Sequence, residues 1–222
     1  LERANEPGLA QLAWLCDPGS PLGQGESPGA VRGLLSDTPR TVVLDRAYAP
    51  LRLQGEGALT AAQLDRVWQL WSPNKALGLT GVRAAYAVAP LGAQADVAAL
   101  EALAASWPIG AHGQAMLMAW AQPEGQNWVA ASRATLADWA MDLRDRLVRL
   151  GWTCTPSDTA YGCAKPPQAL DAAALRAQGI KLRDATSFGL PGWWRLSAQG
   201  PQALAALDAA LQEQDMNMET PR

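Results

Sequence analysis

Residues 72–83 read SPNKALGLTGVR, and this stretch decides how the rest of the chain is interpreted. It places Lys75 directly after a turn signalled by Pro73, with two glycines and then Arg83 following the lysine. Taken alone, Lys75 is a weak sign of function, because a lone lysine after a turn is more often a solvated surface charge than a nucleophile. Its meaning therefore depends on the segments on either side.

Apolar runs around this stretch predict buried strands. Leu12–Cys16 ends in the turn signal DPGSP, Thr41–Leu44 repeats that pattern, and Arg83–Val88 reads as another strand. Residues 60–71 carry apolar side chains at helical spacing, which predicts an amphipathic helix leading to Lys75. Strands that alternate with helices and are apolar on both faces indicate a three-layer α/β fold with a largely parallel sheet.

The character of the chain changes beyond this sheet. Ala- and Leu-rich segments between residues 96 and 150 predict three helices, and the remainder alternates short strands and helices as in a small α+β domain. We therefore expect two domains, residues 1–125 and residues 126–222, with the boundary at the turn that begins at Pro123.

Composition excludes several classes of protein. With 49% hydrophobic residues the chain can bury a sizeable core, yet no apolar run reaches the roughly 18 residues of a membrane span, and no secretory signal is evident. The 18 basic and 21 acidic residues are scattered, which argues against a nucleic-acid partner. One histidine and three cysteines at no zinc-like spacing argue against a metal site. We expect a cytoplasmic protein that does not associate with membranes.

Asp45 and Tyr48 close the second predicted strand, and Lys75 and Arg83 lie ahead of the next one. Residues at the carboxyl ends of strands in an α/β sheet converge on one crevice, which is where ligands bind, so Asp45, Tyr48 and Lys75 can meet. Each has an ordinary structural interpretation as well. An Asp can cap a turn, a Tyr can fill a core and an Arg can lie on the surface. Each of these structural interpretations is favoured for its residue alone, but a functional site is favoured when the residues are taken together.

At these positions the sequence resembles fold-type I, class I/II aminotransferases that depend on pyridoxal 5'-phosphate (PLP). Residues 72–83 resemble the S-x-S-K-x-x-G-L-x-G-x-R motif of that family, in the branch of histidinol-phosphate aminotransferase and threonine-phosphate decarboxylase. Residues 43–48 resemble its V-x-D-E-A-Y element, residues 16–23 its N-P-N-N-P-T-G element, and residues 183–197 its C-terminal arginine element. The resemblance implies an aspartate aminotransferase-like PLP large domain, incomplete at its N-terminal side, followed by a small α+β domain.

The resemblance also implies roles for five residues of the first domain. Lys75 would form the Schiff base with PLP and shuttle protons as general acid and base. Asp45 would keep the pyridine nitrogen protonated, and Tyr48 would donate a hydrogen bond to the ring oxygen. Ser72 and Arg83 would bind the phosphate of the cofactor.

Three further residues complete the expected site. Ser20 stands where the family has an asparagine that bonds the ring oxygen, so it is a shorter candidate donor to the cofactor. Arg195 lies in a predicted strand, where an unpartnered charge is costly, and is expected to receive the anionic group of the substrate with help from Arg183. An exposed strand face or an internal ion pair is the alternative for both arginines. Arg46 and Asn74 depart from the family pattern as well.

The expected reaction is PLP-dependent transamination of an amino acid, or of a phosphorylated amine such as histidinol phosphate, with a 2-oxo acid as second substrate. A homodimer is expected. Decarboxylation of threonine phosphate is one alternative, because the motifs do not decide which substrate bond breaks. The other is a non-catalytic relic or partner-binding domain, favoured by Ser20 and by the lack, ahead of Leu12, of the family's phosphate loop and stacking aromatic residue. That lack also predicts weak PLP binding by this chain alone.

Overall fold

The computed structural model describes residues 10–36 and 40–219, which form two compact units. The first unit contains the described residues up to Gly19 together with Gly25–Ala131. The second contains Ser20–Gln24 and the described chain from Ser132 onward. The assignment of functional domains to residues 1–125 and 126–222 stays a prediction.

A four-stranded sheet forms the centre of the first unit. Its strands, in spatial as well as chain order, are β1 (Leu12–Cys16), β2 (Thr41–Asp45), β3 (Trp68–Trp71) and β4 (Tyr86–Val88). β1, β2 and β3 run parallel, and β4 is antiparallel to β3. The predicted α/β fold with a largely parallel sheet is confirmed.

The described residues of this part of the chain form five α-helices, of which the last continues beyond Ala131: α1 (Pro28–Ser36), α2 (Ala61–Leu64), α3 (Gln94–Leu103), α4 (Ala111–Ala121) and α5 (Pro123–Arg149). α1 connects β1 to β2, and α2 connects β2 to β3, as parallel neighbours require. The core between helices and sheet contains Leu34, Val42, Leu44 and Val67. Apolar side chains from alternate positions of β1 and β2 thus face the two connecting helices.

The prediction of a single helix over residues 60–71 is wrong beyond Leu64. Thr60 and Gln63 form a capping box that starts α2, but the helix has only four residues before the chain turns into β3. Trp68 and Trp71 fit helical spacing, yet aromatic residues also favour strands, and β3 is held between β2 and β4. Lys75 therefore follows the end of a strand, not the end of a helix.

β1 also differs from its prediction as a strand buried on both faces. Leu12 and Trp14 are about half exposed (51% and 50%), whereas Ala13 and Leu15 pack on the core. Alternation of this kind marks a strand covered on one face. Within the part of the chain that the structure describes, the second face of β1 is uncovered.

The second unit is built on an antiparallel sheet in the order β5-β6-β8-β7, where β5 is Thr153–Cys154, β6 is Tyr161–Lys165, β7 is Arg183–Asp184 and β8 is Trp194–Ser197. Helices α6 (Ala172–Ala177) and α7 (Pro201–Glu219) complete it, and the core includes Leu143, Trp152, Leu175, Leu196 and Leu204. This is the predicted small α+β architecture.

Among the described residues, no helix combines the length and the apolar content needed to cross a membrane. The same residues contain no group of three or more His, Cys, Asp or Glu side chains arranged to hold a metal ion. None of Cys16, Cys154 and Cys163 is in a disulfide.

Candidate active site

The carboxyl ends of β2 and β3 carry the central site residues. Asp45 is the last residue of β2 and pairs with Leu70 of β3, and Lys75 follows four residues after the end of β3. Because the two strands are parallel neighbours, both side chains belong to the same edge of the sheet, where ligands bind in α/β folds.

Lys75 lies against Tyr48. The Lys75 Nζ atom is 4.9 Å from the centroid of the Tyr48 ring, and both side chains are half-buried. No hydrogen bond or ion pair connects the Lys75 amine to the rest of the described chain. The structure thus brings two of the predicted residues together, with the amine resting on the face of a phenol ring.

Asp45 shapes the turn that carries Tyr48. Its Oδ1 atom accepts a hydrogen bond of 2.9 Å from the backbone N–H of Ala47, and Tyr48 then starts the 3-10 turn Ala49–Leu51. Oδ2 accepts no hydrogen bond from the described residues. One carboxylate oxygen therefore holds the backbone, and the second remains for a donor.

Ser72 has a partner that the sequence did not reveal. Its hydroxyl donates to Oδ1 of Asn74 at 2.8 Å, and Asn74 is only 3% exposed. A bound phosphate would have to draw the Ser72 hydrogen away from Asn74 or accept a hydrogen bond from the Asn74 amide instead. Arg83 is exposed. Asn74 was noticeable in the sequence only as a departure from the family motif.

A buried ion pair, also missed in the sequence, braces the turn of Tyr48. Arg52 Nη2 lies 2.5 Å from Oδ1 of Asp17, and the backbone N–H of Ala58 donates to Oδ2 at 2.9 Å. Asp17 is 4% and Arg52 8% exposed. Arg52 directly follows the 3-10 turn, so the pair ties this turn to the end of β1.

Burial, and then the charge of Asp17, raise the pKa of Glu26.

Arg46 is the residue that follows the end of β2, and its side chain contacts β3. Its Nη1 donates to Gln69 Oε1 at 2.9 Å, and its guanidinium lies 4.3 Å from the ring centroid of Trp71. Trp71 in turn stacks on Tyr86, with centroids 6.2 Å apart. Burial lowers the pKa of Arg46. This arginine therefore packs against side chains of β3.

Ser20 is exposed and belongs to the second unit, in the segment Ser20–Gln24. Gly23 fixes this segment. The carbonyl of Gly23 accepts from Asp158 N at 2.8 Å, and its φ of +72° is in the left-handed region. A Cβ at position 23 would lie 2.2 Å from Ser157 Oγ and 2.7 Å from the Tyr161 carbonyl, so only glycine fits there.

Arg183 and Arg195 lie directly opposite each other in the pairing of β7 with β8. Each guanidinium lies over an aromatic ring: Arg195 is 4.2 Å from the centroid of Tyr161, and Arg183 is 5.6 Å from that of Phe188. Both arginines also line a cavity of about 400 Å³, together with Leu204 and other apolar residues. The structure therefore brings the two candidate anion-binding residues together within the second unit.

Solved structures show which class of fold this is. The histidinol-phosphate aminotransferase of Sinorhizobium meliloti, in complex with pyridoxal-5'-phosphate, matches with a TM-score of 0.73 and 21% identity, covering 94% of this chain and 58% of that one. L-threonine-O-3-phosphate decarboxylase from Porphyromonas gingivalis matches with a TM-score of 0.66 and 24% identity, covering 91% and 64%. The chain has the fold of type I PLP-dependent enzymes.

Within that class the chain belongs to the aminotransferase class I and II family, whose model matches residues 1–211. The histidinol-phosphate aminotransferase 2 of Ralstonia nicotianae is 29% identical, over 91% of this chain and 55% of the relative. The histidinol-phosphate aminotransferase of Natronomonas pharaonis is 30% identical, over 84% of this chain and 51% of the relative. The chain spans about half the length of these curated relatives. Proteins of this family use pyridoxal phosphate.

Proposed function

We propose that the protein to which this chain belongs is a PLP-dependent aminotransferase acting on an amino acid or on a phosphorylated amine such as histidinol phosphate, with a 2-oxo acid as second substrate. A cytoplasmic homodimer is part of the proposal. The histidinol-phosphate aminotransferases among its relatives support this choice of substrate class.

The observation that carries the proposal is the environment of Lys75. Its amine is half-buried, rests on the Tyr48 ring and makes no ion pair with a described residue, at the same sheet edge as Asp45. A lysine with a purely structural role would be expected to reach solvent or a carboxylate. PLP needs an amine to form the Schiff base, a donor for its ring oxygen and a carboxylate to accept from its pyridine N–H. Lys75, Tyr48 and Asp45 supply these groups at one sheet edge, so the residues fit the cofactor.

Bound PLP would supply an electron-accepting ring that stabilises negative charge at the substrate carbon. Lys75 would hold the cofactor through Nζ and, once released by the substrate amine, move a proton from and to the substrate carbon. Oδ2 of Asp45 would accept the hydrogen bond of the pyridinium N–H, while Oδ1 stays on Ala47. The Tyr48 hydroxyl would donate to the ring oxygen.

Cations and neutral donors of this chain would bind the phosphate of the cofactor and the anionic group of the substrate. Arg83 and Ser72 are assigned to the cofactor phosphate. Ser72 donates to Asn74 in this structure. If the Ser72 hydroxyl keeps that hydrogen bond, the side-chain amide of Asn74 would donate to the phosphate in its place. Arg195 and Arg183 are assigned to the carboxylate or phosphate of the substrate. Directly opposite like charges destabilise a strand pair, and a bound anion between them removes that repulsion. Ser20 is assigned to the ring oxygen.

Borohydride reduction of the PLP-treated protein, followed by peptide mapping, tests the proposal. The chain has three lysines, and the two others, Lys165 and Lys181, are exposed and serve as internal controls. We expect the pyridoxyl label on Lys75 and none in Lys75→Arg. Label on Lys165 or Lys181 without label on Lys75 would remove Lys75 from the site.

Decarboxylation of threonine phosphate is the second candidate, because an enzyme of that activity shares the fold. Release of carbon dioxide from threonine phosphate, compared with formation of an amino acid from the 2-oxo acid, separates the two reactions. A complete protein that takes no label on any lysine would instead be a non-catalytic relic or a partner-binding domain, whereas weak labelling of this chain by itself is expected.

A further inference from the structure

A row of three side chains, Arg46, Trp71 and Tyr86, lies across the end of β3. The guanidinium carbon of Arg46 is 4.3 Å from the ring centroid of Trp71, which is the last residue of β3. Trp71 also pairs directly with Tyr86 of β4, and the two rings are nearly parallel, at 3°, with centroids 6.2 Å apart. The row therefore joins the residue after β2, the end of β3 and the start of β4.

Hydrogen bonds hold both ends of this row. At one end, Nη1 of Arg46 donates to Oε1 of Gln69 at 2.9 Å. At the other, the indole N–H of Trp120 in α4 donates to the Tyr86 hydroxyl at 3.0 Å. Hydrogen bonds and stacked rings have preferred directions, whereas contacts between aliphatic side chains do not. The row thus fixes the orientation of Trp71 as well as its position.

An arginine is a costly residue for this place. Arg46 stands where the family pattern has a glutamate, which has no cationic face to lie on a ring. Burial is the main cause that lowers the pKa of Arg46, so the fold disfavours its charged form. An apolar side chain would fill the space without that desolvation. The cost favours a role for the contacts of the guanidinium with Trp71 and Gln69.

The chain from Trp71 to Lys75 is short and held in place. Pro73 is fully buried, and Asn74 is only 3% exposed. The carbonyl of Asn74 accepts a hydrogen bond of 2.7 Å from the backbone N–H of Leu79, which closes the turn around Lys75. Because this turn is packed and hydrogen-bonded, a displacement of Trp71 is passed on to Lys75.

We propose that Arg46, Trp71 and Tyr86 are positioning residues. Together they fix the end of β3, and with it the place at which the Lys75 amine rests on the Tyr48 ring. None of the three is assigned to the cofactor or to the substrate. Their role rests on the proposed function, and adds to it a cause for the placement of the reactive amine.

Competitive acetylation of the cofactor-free chain tests this role without turnover. A trace of acetic anhydride modifies each lysine in proportion to the reactivity of its amine, and peptide mapping then measures the modified fraction. Lys165 and Lys181 are exposed and serve as internal references for the reactivity of Lys75.

We expect Arg46→Met and Trp71→Leu each to raise the reactivity of Lys75 by about two- to fivefold, the change implied by loss of a half-buried contact between an amine and a ring. Arg46→Glu, which introduces the residue of the family pattern, should act as Arg46→Met does. Trp71→Phe keeps a ring in the row and should stay close to the wild type. In the complete enzyme, kcat should fall with KM nearly unchanged, because Lys75 moves the proton.

Trp68→Leu is the matched control. Trp68 begins the same strand, is half-buried like Trp71 and lies outside the row, so its loss weakens β3 without touching the end that leads to Lys75. If Trp71→Leu does not fold, Arg46→Met, which keeps an unbranched side chain and removes the planar cation, must raise the reactivity of Lys75 on its own.

The outcomes separate the positioning role from the proposed function. Unchanged reactivity of Lys75 in both Arg46→Met and Trp71→Leu overturns the role of the row, and leaves the pyridoxyl label on Lys75 as evidence for the function. An equal rise in Trp68→Leu and Trp71→Leu also overturns it, since the effect would then belong to the stability of β3. Absence of the pyridoxyl label from Lys75 in the complete wild-type protein overturns the proposed function, whatever the acetylation shows.

Discussion

Removal of Arg52 should destabilise the protein strongly, because it leaves Asp17 buried without its cation. The two side chains are 8% and 4% exposed, and Arg52 Nη2 contacts Oδ1 of Asp17 at 2.5 Å. Breaking one partner of a buried pair costs about 3–5 kcal/mol, whereas replacing both partners with apolar residues is often nearly neutral. After Arg52→Met the Ala58 N–H is the one donor to the carboxylate that remains among the described residues.

For a chain of this size such a loss corresponds to a fall of about 6–20 °C in Tm. Urea unfolding, followed by the fluorescence of the ten tryptophans, measures the loss in free energy of unfolding. The double change Asp17→Leu with Arg52→Met should recover most of the stability. The matched control is Asp208→Ala, which removes a half-exposed ion pair of similar length, at 2.6 Å, and should destabilise far less.

The result that would refute the reasoning is a stability of Arg52→Met equal to or above that of Asp208→Ala. It would mean that water reaches Asp17 and that the pair does not brace the turn of Tyr48. A low stability of the single variant with no recovery in the double variant would instead assign the effect to lost packing by the arginine stem.

Two further predictions concern the activity of the site, and a third concerns the stability of the second unit. Asp45→Ala should lower kcat by roughly two to three decades with little change in the unfolding midpoint, since a charge-assisted hydrogen bond in a buried site contributes about 2–4 kcal/mol; equal turnover would remove its role. Arg195→Lys, which keeps the charge but loses the planar fork, should raise KM strongly for every anionic substrate, as paired assays of phosphorylated and unphosphorylated amines would measure. Gly23→Ala should destabilise the second unit by more than about 1 kcal/mol, because φ is +72° and the new Cβ meets a backbone carbonyl at 2.7 Å; an unchanged urea midpoint would contradict this.

The sequence predicted the strands whose signals are local. Leu12–Cys16 and Thr41–Asp45 are short apolar runs ended by polar or turn residues, and both are strands. β3 was missed because Trp68 and Trp71 satisfy the helical period as well as they satisfy a strand. Only the pairing with β2 and β4, which is a property of the folded sheet, decides between the two.

The candidate site was predictable to the extent that its residues share a motif. Asp45 and Tyr48 could be placed at the carboxyl end of a strand from the sequence, whereas Lys75 was placed beside them through its motif, because β3 was not predicted. The roles of the three residues stay predictions. The Asp17–Arg52 pair could not be predicted, because 35 residues separate its members and neither has a distinctive neighbour. The hydrogen bond from Ser72 to Asn74 depends on a rotamer, which sequence does not reveal.

The membership of residues 20–24 in the second unit has a consequence for how the chain acquires its structure. Ser157 and Cys163 donate to the carbonyls of Gly23 and Pro21, partners separated by 134 and 142 residues. Closing a loop of that length costs roughly 4 kcal/mol of chain entropy before the contacts form, and such nonlocal contacts slow folding. During synthesis this five-residue segment emerges long before β6 does, so a C-terminal fragment beginning at Ser132 would be expressed without part of its own architecture.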